Sequence, residues 1–292
     1  MDWLFLLIQT MNGIQYGLLL FLIASGLTLV FGIMGIINLA HGSFYMIGAY
    51  LAFSFTQMTG SLLWAIVLGI PATLVLGVVI ERFFIVHLYH RDHLQQVLLT
   101  FGLILIFNEL QLVIWGGDPN GVPVPEILAG SIPVSETLSY PVYRLFLSAV
   151  CLVLAGIMMV VIQKTRLGMR IRAGASNRRM VEALGVNVRA LYAVVFSVGV
   201  TLAGVAGMLA APVETVYPGM GEQILIVSFV VVVIGGIGSI KGAFLGALAI
   251  GLADVYGQVY LPEIASVAVY ALMAAILLWR PEGLFGRGAE NG

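Results

Sequence analysis

Charged residues are scarce in this chain, and they are missing altogether from Trp3 to Ile80. Only 9% of the 292 residues are Asp, Glu, Lys or Arg, whereas a soluble globular domain carries roughly 25%. This shortage excludes an ordinary soluble protein and predicts an integral membrane protein. The uncharged stretch is long enough for several spans, because each helical crossing needs about 20 apolar residues.

Several kinds of reactive site are also missing. Cys151 is the only cysteine, which excludes an internal disulfide. The nearest approach to a GxxxxGK(S/T) phosphate loop is residues 235–242, where Lys241 is followed by glycine. No Ser/His/Asp arrangement has the context of a catalytic site. The sequence therefore predicts a chain that is not an enzyme, with no catalytic residues and no cofactor.

Three histidines, His87, His90 and His93, form an HxxHxxH pattern between two apolar runs. A metal site needs fixed geometry and second-shell support. Solvated residues at the membrane edge explain the pattern better, so no metal site is predicted.

Continuous rather than alternating apolar runs predict an all-α, polytopic helical bundle and not a β-barrel. The segment 32–42 (GIMGIINLAHG) is rich in glycine and polar for its position, which indicates a broken or re-entrant element. The chain is therefore expected to cross the membrane eight or nine times. The predicted helices are 13–33, 38–58, 62–86, 94–115, 143–163, 190–211, 223–239, 242–258 and 264–279.

The loop 116–142 contains many Pro and Gly residues, which exclude a long helix and predict a short irregular or hairpin cap. No change of composition divides the chain, so residues 1–292 are expected to form one membrane domain. Two segments of the chain, 200 residues apart, show a weak similarity, called the echo below. A repeated half, as in many transporters, would explain it, and so would coincidence in a glycine-rich chain. The matching residues are Gly35, Ile37, Gly42, Phe44 and Ala49 with Gly235, Ile237, Gly242, Phe244 and Ala249.

Residues 164–189 form the one strongly basic stretch, with seven of the thirteen Lys and Arg residues. Basic loops stay on the cytoplasmic side of a membrane. Alternating the predicted spans outward from this loop places twelve of the thirteen basic residues on its side, Arg144 being the exception. The N-terminus is then outside and the C-terminus inside. The opposite side collects Asp2, Asp118, Glu126, Glu136, Glu214, Glu222 and Glu263.

A short helix is predicted inside the basic stretch, with Ser176 as its N-cap and Gly185 as its stop. Arg178 and Glu182 are spaced for an i,i+4 pair on its wetter side. Met180, Ala183 and Leu184 fall on one face. Such a helix is too short to be stable alone. It rests either on lipid headgroups, as basic clusters usually do, or in a groove of a cytosolic motor.

Polar residues inside the predicted spans are few, and such groups usually face a cavity or each other. Asn38 and His41 are the candidates for a translocation path, because they fall in the broken segment, where freed backbone groups can line a wet route. Glu109 and Asp254 are proton-site candidates, although acids near helix ends often only reach water.

Three stretches of this sequence resemble permease subunits of branched-chain amino acid ABC importers, of the LivH type. They are residues 26–50 (GLTLVFGIMGIINLAHGSFYMIGAY), 166–212 (RLGMRIRAGASNRRMVEALGVNVRALYAVVFSVGVTLAGVAGMLAAP) and 235–254 (GGIGSIKGAFLGALAIGLAD). The resemblance covers nearly the whole chain, and INLAHG is its most specific part.

The resemblance implies an assembly in the bacterial inner membrane: a LivM-like second permease or a second copy, two cytosolic ATP-binding subunits, and an external amino-acid-binding protein. It also implies that a loop helix over about 174–187 docks on the ATPase, which favours the motor interpretation of residues 164–189. The residues expected in this ATPase-coupling loop are Ser176, Arg178, Arg179, Glu182, Ala183 and Gly185.

The predicted function is therefore translocation of a branched-chain or related small amino acid by an ATP-driven importer. Two alternatives stay open at this point. One is a urea or short-amide permease of the same class, and the other is a self-contained secondary transporter or channel that uses Glu109 or Asp254.

Overall fold

The structure is a computed structural model, and it describes residues 3–89, 91–135 and 138–286, without the side chain of Ser266. Most of this part of the chain is helical. The helices are α1 (Trp3–Leu29), α2 (His41–Thr59), α3 (Leu62–Phe83), α4 (His93–Trp115), α5 (Val142–Lys164), α6 (Arg166–Ser176), α7 (Arg178–Ala183), α8 (Val188–Ala210), α9 (Met220–Gly235), α10 (Ile240–Tyr260) and α11 (Ala265–Trp279).

Each of the nine predicted helical segments overlaps one of these helices, which confirms the helical membrane bundle. Six helical segments are long and apolar enough to cross a bilayer, namely α1 with its continuation to Met34, α3, α4, α5, α8 and α10. α9 and the stretch Val267–Trp279 of α11 are shorter apolar helices. The additional helix α6 was not predicted.

α1 begins ten residues before its predicted start at 13. The prediction was short because Thr10 and Asn12 interrupt the apolar run. Both find partners: the Thr10 and Tyr256 hydroxyls are 2.7 Å apart, and Arg144 donates to the Asn12 side-chain oxygen at 2.6 Å.

The predicted broken element is present after α1. The helix widens into a π-helix over Val30–Met34 and ends at Gly35, whose φ of 65° favours glycine. The chain then has no regular structure until α2 begins at His41, three residues later than predicted. The side chain of Gln96 in α4 accepts from the Ile37 N–H at 3.2 Å. α4 thus supplies a partner that an unwound backbone needs at this depth.

Small residues bring α1 against α10. The GxxxG pair Gly13/Gly17 faces Leu252 and Ala247 so closely that an added Cβ would lie within 3 Å of α10 atoms. Such close approach of backbones is expected where small residues meet between membrane helices. α1 is consequently the most enclosed of the long helices, and its residues from Gly17 to Leu29 are buried.

The loop between α4 and α5 forms the predicted hairpin cap. β1 (Ser131–Pro133) pairs antiparallel with β2 (Ser139–Pro141), with Ser131 opposite Pro141. Before the hairpin, Asn120 forms an isolated bridge with Val216 in the loop after α8. The cap therefore joins two loops at the same end of the bundle.

The helix directions give the bundle two chemically different ends. At one, called the basic end, α3, α5, α9 and α11 finish and α8 and α10 begin; it holds eleven of the twelve described Lys and Arg residues. The other, called the acidic end, holds Asp118, Glu126, Glu214, Glu222, Glu263 and Arg144. Asp2, Glu136 and Arg287 of the predicted charge pattern lie outside the described residues.

Candidate functional site

The basic stretch folds as two helices, α6 and α7, separated by Asn177. The Thr165 side chain caps α6 by accepting from the Gly168 N–H at 3.1 Å, and the Asn177 side chain caps α7 by accepting from the Met180 N–H at 3.0 Å. The prediction that Ser176 is the N-cap was therefore wrong. Ser176 is the last residue of α6, and the neighbouring Asn177, an equally good capping residue, holds the extended backbone that a cap requires.

The ion pair and the helix stop predicted for α7 are confirmed, but the prediction that the pair lies on the wetter side is wrong. Arg178 packs against the bundle with 26% of its side chain exposed, whereas Met180 is 58% exposed. Arg178 and Glu182 form the i,i+4 pair, with Nε and Oε1 3.1 Å apart. Gly185 follows the helix with a φ of 82°, a left-handed conformation that suits a helix stop. At six residues, α7 is shorter than the predicted two and a half turns.

Arg178 also fastens α7 to the bundle. Its Nη1 donates to the Tyr89 carbonyl oxygen at 3.4 Å, and its guanidinium lies 5.2 Å from the centre of the Tyr192 ring in α8. The Tyr89 and Tyr192 rings meet edge to face at 5.1 Å. The Tyr89 hydroxyl in turn donates to the buried Glu81 carboxylate at the end of α3. Movement of α7 is therefore opposed by contacts with both α3 and α8.

Burial and the adjacent Glu81 carboxylate raise the pKa of Tyr89 above that of an ordinary tyrosine. Its hydroxyl therefore stays protonated and remains a donor at neutral pH. Neither Tyr89 nor Glu81 was predicted as a site residue. One signal was available, because Glu81 is the first charge after the long uncharged stretch.

The face of α7 that points away from the bundle is uncovered. Met180 is 58% exposed and Leu184 is 75% exposed, whereas Val181 is buried against the bundle. Arg179, Glu182 and Ala183 are exposed on the same short segment. A groove of about 210 Å³ runs beside Leu184; it is lined by Arg166, Met169, Arg170, Ala173, Val181, Leu184 and Val186. An apolar strip with a charged rim is the usual composition of a protein interface.

Asn38 and His41 lie in and beside the broken segment, and both are fully buried. His41 Nε2 is 3.0 Å from the Ile23 carbonyl oxygen, and Asn38 Oδ1 accepts from the Ala40 N–H at 3.2 Å. Among the described residues, Asn38 Nδ2 and His41 Nδ1 have no hydrogen-bond partner in the protein. Buried polar atoms of this kind usually bind water. A role in the translocation path stays a prediction.

The π-helix that ends α1 meets the glycine-rich turn between α9 and α10. A Cβ added to Gly32 would lie 2.5 Å from the Gly238 Cα, so the π-helix contacts the turn between α9 and α10 directly. A cavity of about 670 Å³ opens beside this contact at the basic end. It is lined in part by Thr28, Gly32, Arg172, Gly238 and Lys241. Whether the echo marks a true repeat stays open.

A second cavity, of about 440 Å³, lies at the acidic end. It is formed by α1, α2, the loop after α8 and the start of α9. Its lining residues are Tyr16, Tyr45, Glu214, Thr215, Tyr217, Met220, Gln223, Ile224 and Val227, and this set is called the acidic-end cavity below.

The remaining polar candidates line neither cavity. Glu109 is exposed on α4, and the Asp254 carboxylate accepts from the Gln258 amide at 2.7 Å. His87 lies in a short 3₁₀ segment and His93 opens α4, while His90 lies outside the described residues. Among the described residues, no three His, Cys, Asp or Glu side chains are grouped to hold a metal ion.

The long apolar helices and the interruption between α1 and α2 define a polytopic helical membrane protein. The comparison with known sequences makes the class specific. Residues 9–277 match the family described as "Branched-chain amino acid transport system / permease component". The chain belongs to this family.

Individual relatives agree with the family match. The chain is 33% identical to the high-affinity branched-chain amino acid transport system permease protein BraD of Pseudomonas aeruginosa, covering 96% of this chain and 95% of BraD. It is 32% identical to LivH of Escherichia coli, covering 98% and 97%. LivM of Escherichia coli is 27% identical, over 89% of this chain and 66% of LivM. No solved structure matches the chain.

Proposed function

We propose that this chain is a non-catalytic permease subunit of an ATP-driven importer, a single domain over residues 1–292 that carries branched-chain amino acids. The observation that carries the proposal is α7, a short helix with an uncovered apolar face that Arg178 connects to α3 and α8. A helix of six residues is not stable alone, so its exposed Met180 and Leu184 favour a partner surface. Ser176, Arg178, Arg179, Glu182, Ala183 and Gly185 all lie in this segment or at its boundaries.

The proposed orientation follows from the charge difference between the two ends. Eleven of the twelve described basic residues lie at the basic end, and positively charged loops stay in the cytoplasm. The N-terminus, at the acidic end, is then outside, and the C-terminus is inside. In this orientation α7 faces the cytosol of a bacterial cell and the hairpin cap faces outward.

The partners supply what this chain lacks. Two cytosolic ATP-binding subunits contact α7 and its counterpart on a second permease, which is either LivM-like or a second copy of this chain. An external binding protein delivers the amino acid to the acidic end. ATP biases the assembly because it binds one conformation more tightly, and α7 transmits that bias to the bundle.

The cargo is proposed from the relatives, whose names specify high-affinity transport of branched-chain amino acids. Family membership also favours a subunit of an importer over a self-contained secondary transporter or channel. Import of urea or a short amide is the second candidate for the cargo, within the same architecture.

The test is uptake by the purified assembly in proteoliposomes. We expect leucine uptake only when the ATP-binding subunits, the binding protein and ATP are all present. Leucine uptake by this chain alone, driven by an ion gradient, would reject the importer. Uptake of urea but not leucine by the assembly would keep the importer and change the cargo.

A further inference from the structure

Among the described residues, the hydrogen-bond partner of the Glu214 carboxylate in the acidic-end cavity is a neutral group. The Tyr45 hydroxyl donates to Glu214 Oε2 at 3.0 Å, and Tyr45 itself is buried. The one ion pair among the described residues joins Arg178 and Glu182 at the other end of the bundle. The Glu214 side chain is exposed to the cavity, and desolvation by the surrounding protein atoms raises its pKa above that of an ordinary glutamate. Among the described residues, no basic side chain forms an ion pair with it.

The surroundings of this carboxylate have the character of a small-molecule site. Tyr16 and Tyr217 lie beside it, and tyrosine rings attract cations through their faces. Met220, Ile224 and Val227 give α9 an apolar wall. A largely apolar cavity of this volume with a few convergent polar groups is typical of ligand sites.

Hydrogen-bond donors line the same cavity. The Tyr217 hydroxyl donates to the Gln223 side-chain oxygen at 2.7 Å, which leaves the Gln223 amide nitrogen as a donor. The Thr215 hydroxyl is a second donor at the lining. One cavity thus offers an anion, an apolar wall and neutral donors, which are the three features complementary to a zwitterionic amino acid with an apolar side chain.

From this geometry we infer that the acidic-end cavity is a substrate-binding site of the permease itself, in which Glu214 binds the α-ammonium group of the incoming amino acid. The inference rests on the proposed import function and deepens it. Affinity then does not reside in the external binding protein alone. The chain selects for a positively charged amino group at the entrance.

Charge selectivity at the cavity can be measured without transport. This chain is given the substitutions Cys151→Ala and Thr215→Cys and is assembled into the importer without the binding protein. The one thiol of this chain is reacted with two thiosulfonate reagents, one carrying a trimethylammonium group and the other a sulfonate group, and labelling of this chain is followed. Rates are normalised to those of a free thiol. We expect the cationic reagent to be preferred and Glu214→Gln to reduce that preference about tenfold, since one charge interaction is lost. An unchanged preference in Glu214→Gln would overturn the inference.

Ligand protection of the same thiol identifies the group that is recognised. Leucine and isopentylamine, which keep the amino group, should slow the reaction, and isocaproate, which lacks it, should not. Equal protection by isocaproate would contradict ammonium recognition. Glu222→Gln is the matched control: Glu222 is a nearby carboxylate on α9, outside the lining of the cavity, that accepts from the Asn108 amide at 2.8 Å. It should behave as the parent protein does.

Leucine uptake by the complete importer shows whether Glu214 binds substrate or only holds Tyr45 through their hydrogen bond. Glu214→Gln keeps an acceptor for Tyr45 but loses the charge, so uptake should fall about tenfold while ATP hydrolysis stimulated by the binding protein persists. Tyr45→Phe removes the hydrogen bond but keeps the charge, and should have a smaller effect. An equal or larger loss of uptake in Tyr45→Phe would mean that Glu214 only holds Tyr45 in place and does not bind substrate. Absence of ATP-dependent uptake in the parent assembly would instead reject the proposed function, and the labelling results would still decide the inference.

Discussion

At the basic end of the bundle, Arg178 lies between the Glu182 carboxylate, the Tyr89 carbonyl and the Tyr192 ring, so its charge is matched from several sides. At the acidic end, the described contacts of Glu214 are with neutral groups, and its cavity is open to a ligand. A charge that is paired within the protein, like that of Arg178, connects two structural elements. A carboxylate without a cationic partner, like that of Glu214, is available to bind a cationic ligand. This difference is the basis on which we propose that the basic end transmits force and the acidic end recognises the substrate.

The largest expected effect comes from removing the transmitting element. Deletion of residues 176–185 should leave membrane insertion intact, because no long apolar helix is touched, but abolish ATP-driven leucine uptake. In the assembly that carries the deletion, ATP hydrolysis should no longer be stimulated by the loaded binding protein. Normal uptake by the deletion variant would remove the coupling role of α7.

Arg178 and Arg179 allow a matched test of the connection to the bundle. Arg178→Ala loses the Glu182 pair, the Tyr89 contact and the Tyr192 contact, and we expect about a tenfold fall in leucine transported per ATP hydrolysed. Partly exposed contacts of this kind stabilise by about 1 kcal/mol each. Arg179, which is exposed beside it, should change that ratio much less when replaced by Ala. Equal effects of the two substitutions would mean that coupling depends on the positive charge of α7 and not on the contacts of Arg178 with the bundle.

The acidic end should respond to pH. Burial raises the pKa of Glu214, so its charge is present above that pKa and is lost as the pH falls through it, at a higher pH than for an exposed glutamate. The titratable groups that face Glu214 are the hydroxyls of Tyr45, Tyr16 and Tyr217. The Asp254 carboxylate on α10 interacts electrostatically with Tyr16. Preference of the Thr215→Cys thiol for the cationic reagent should therefore decline on acidification. In Glu214→Gln the preference should be flat across the same pH range.

Between the two ends, His41 tests whether the broken segment belongs to the route. His41→Leu removes the contact with the Ile23 carbonyl and the second ring nitrogen, and transport should fall several-fold without loss of assembly if water and substrate pass this segment. Size-exclusion chromatography of the assembly provides the control. Unchanged uptake would assign His41 to packing.

The smallest expected effect distinguishes two adjacent residues. Asn177→Ala should weaken α7 by about 1 kcal/mol, the usual value of an N-cap, and modestly lower coupling. Ser176→Ala should have no measurable effect, because Ser176 ends α6 instead of capping α7. The two variants are compared by leucine transported per ATP hydrolysed. A reversed order would contradict the observed cap.

The apolar helices were predictable because continuous apolar runs can form little else in a membrane. α6 was missed because Arg166, Gly168 and Arg172 give it no continuous apolar run, and it is held by tertiary contacts instead. The cap was misplaced by one residue because serine and asparagine both favour that position. No local pattern predicts Arg178 with Tyr89 or Tyr45 with Glu214, since each pair is brought together only by the fold.

The accessibility of Met180 tests the central assignment most directly. In a Cys151→Ala, Met180→Cys variant, an impermeant thiol reagent is applied to inside-out vesicles and to spheroplasts. We predict labelling only in inside-out vesicles stripped of the ATP-binding subunits, and protection when those subunits are restored. Labelling in spheroplasts, from the outer side, would contradict both the orientation and the coupling role of α7.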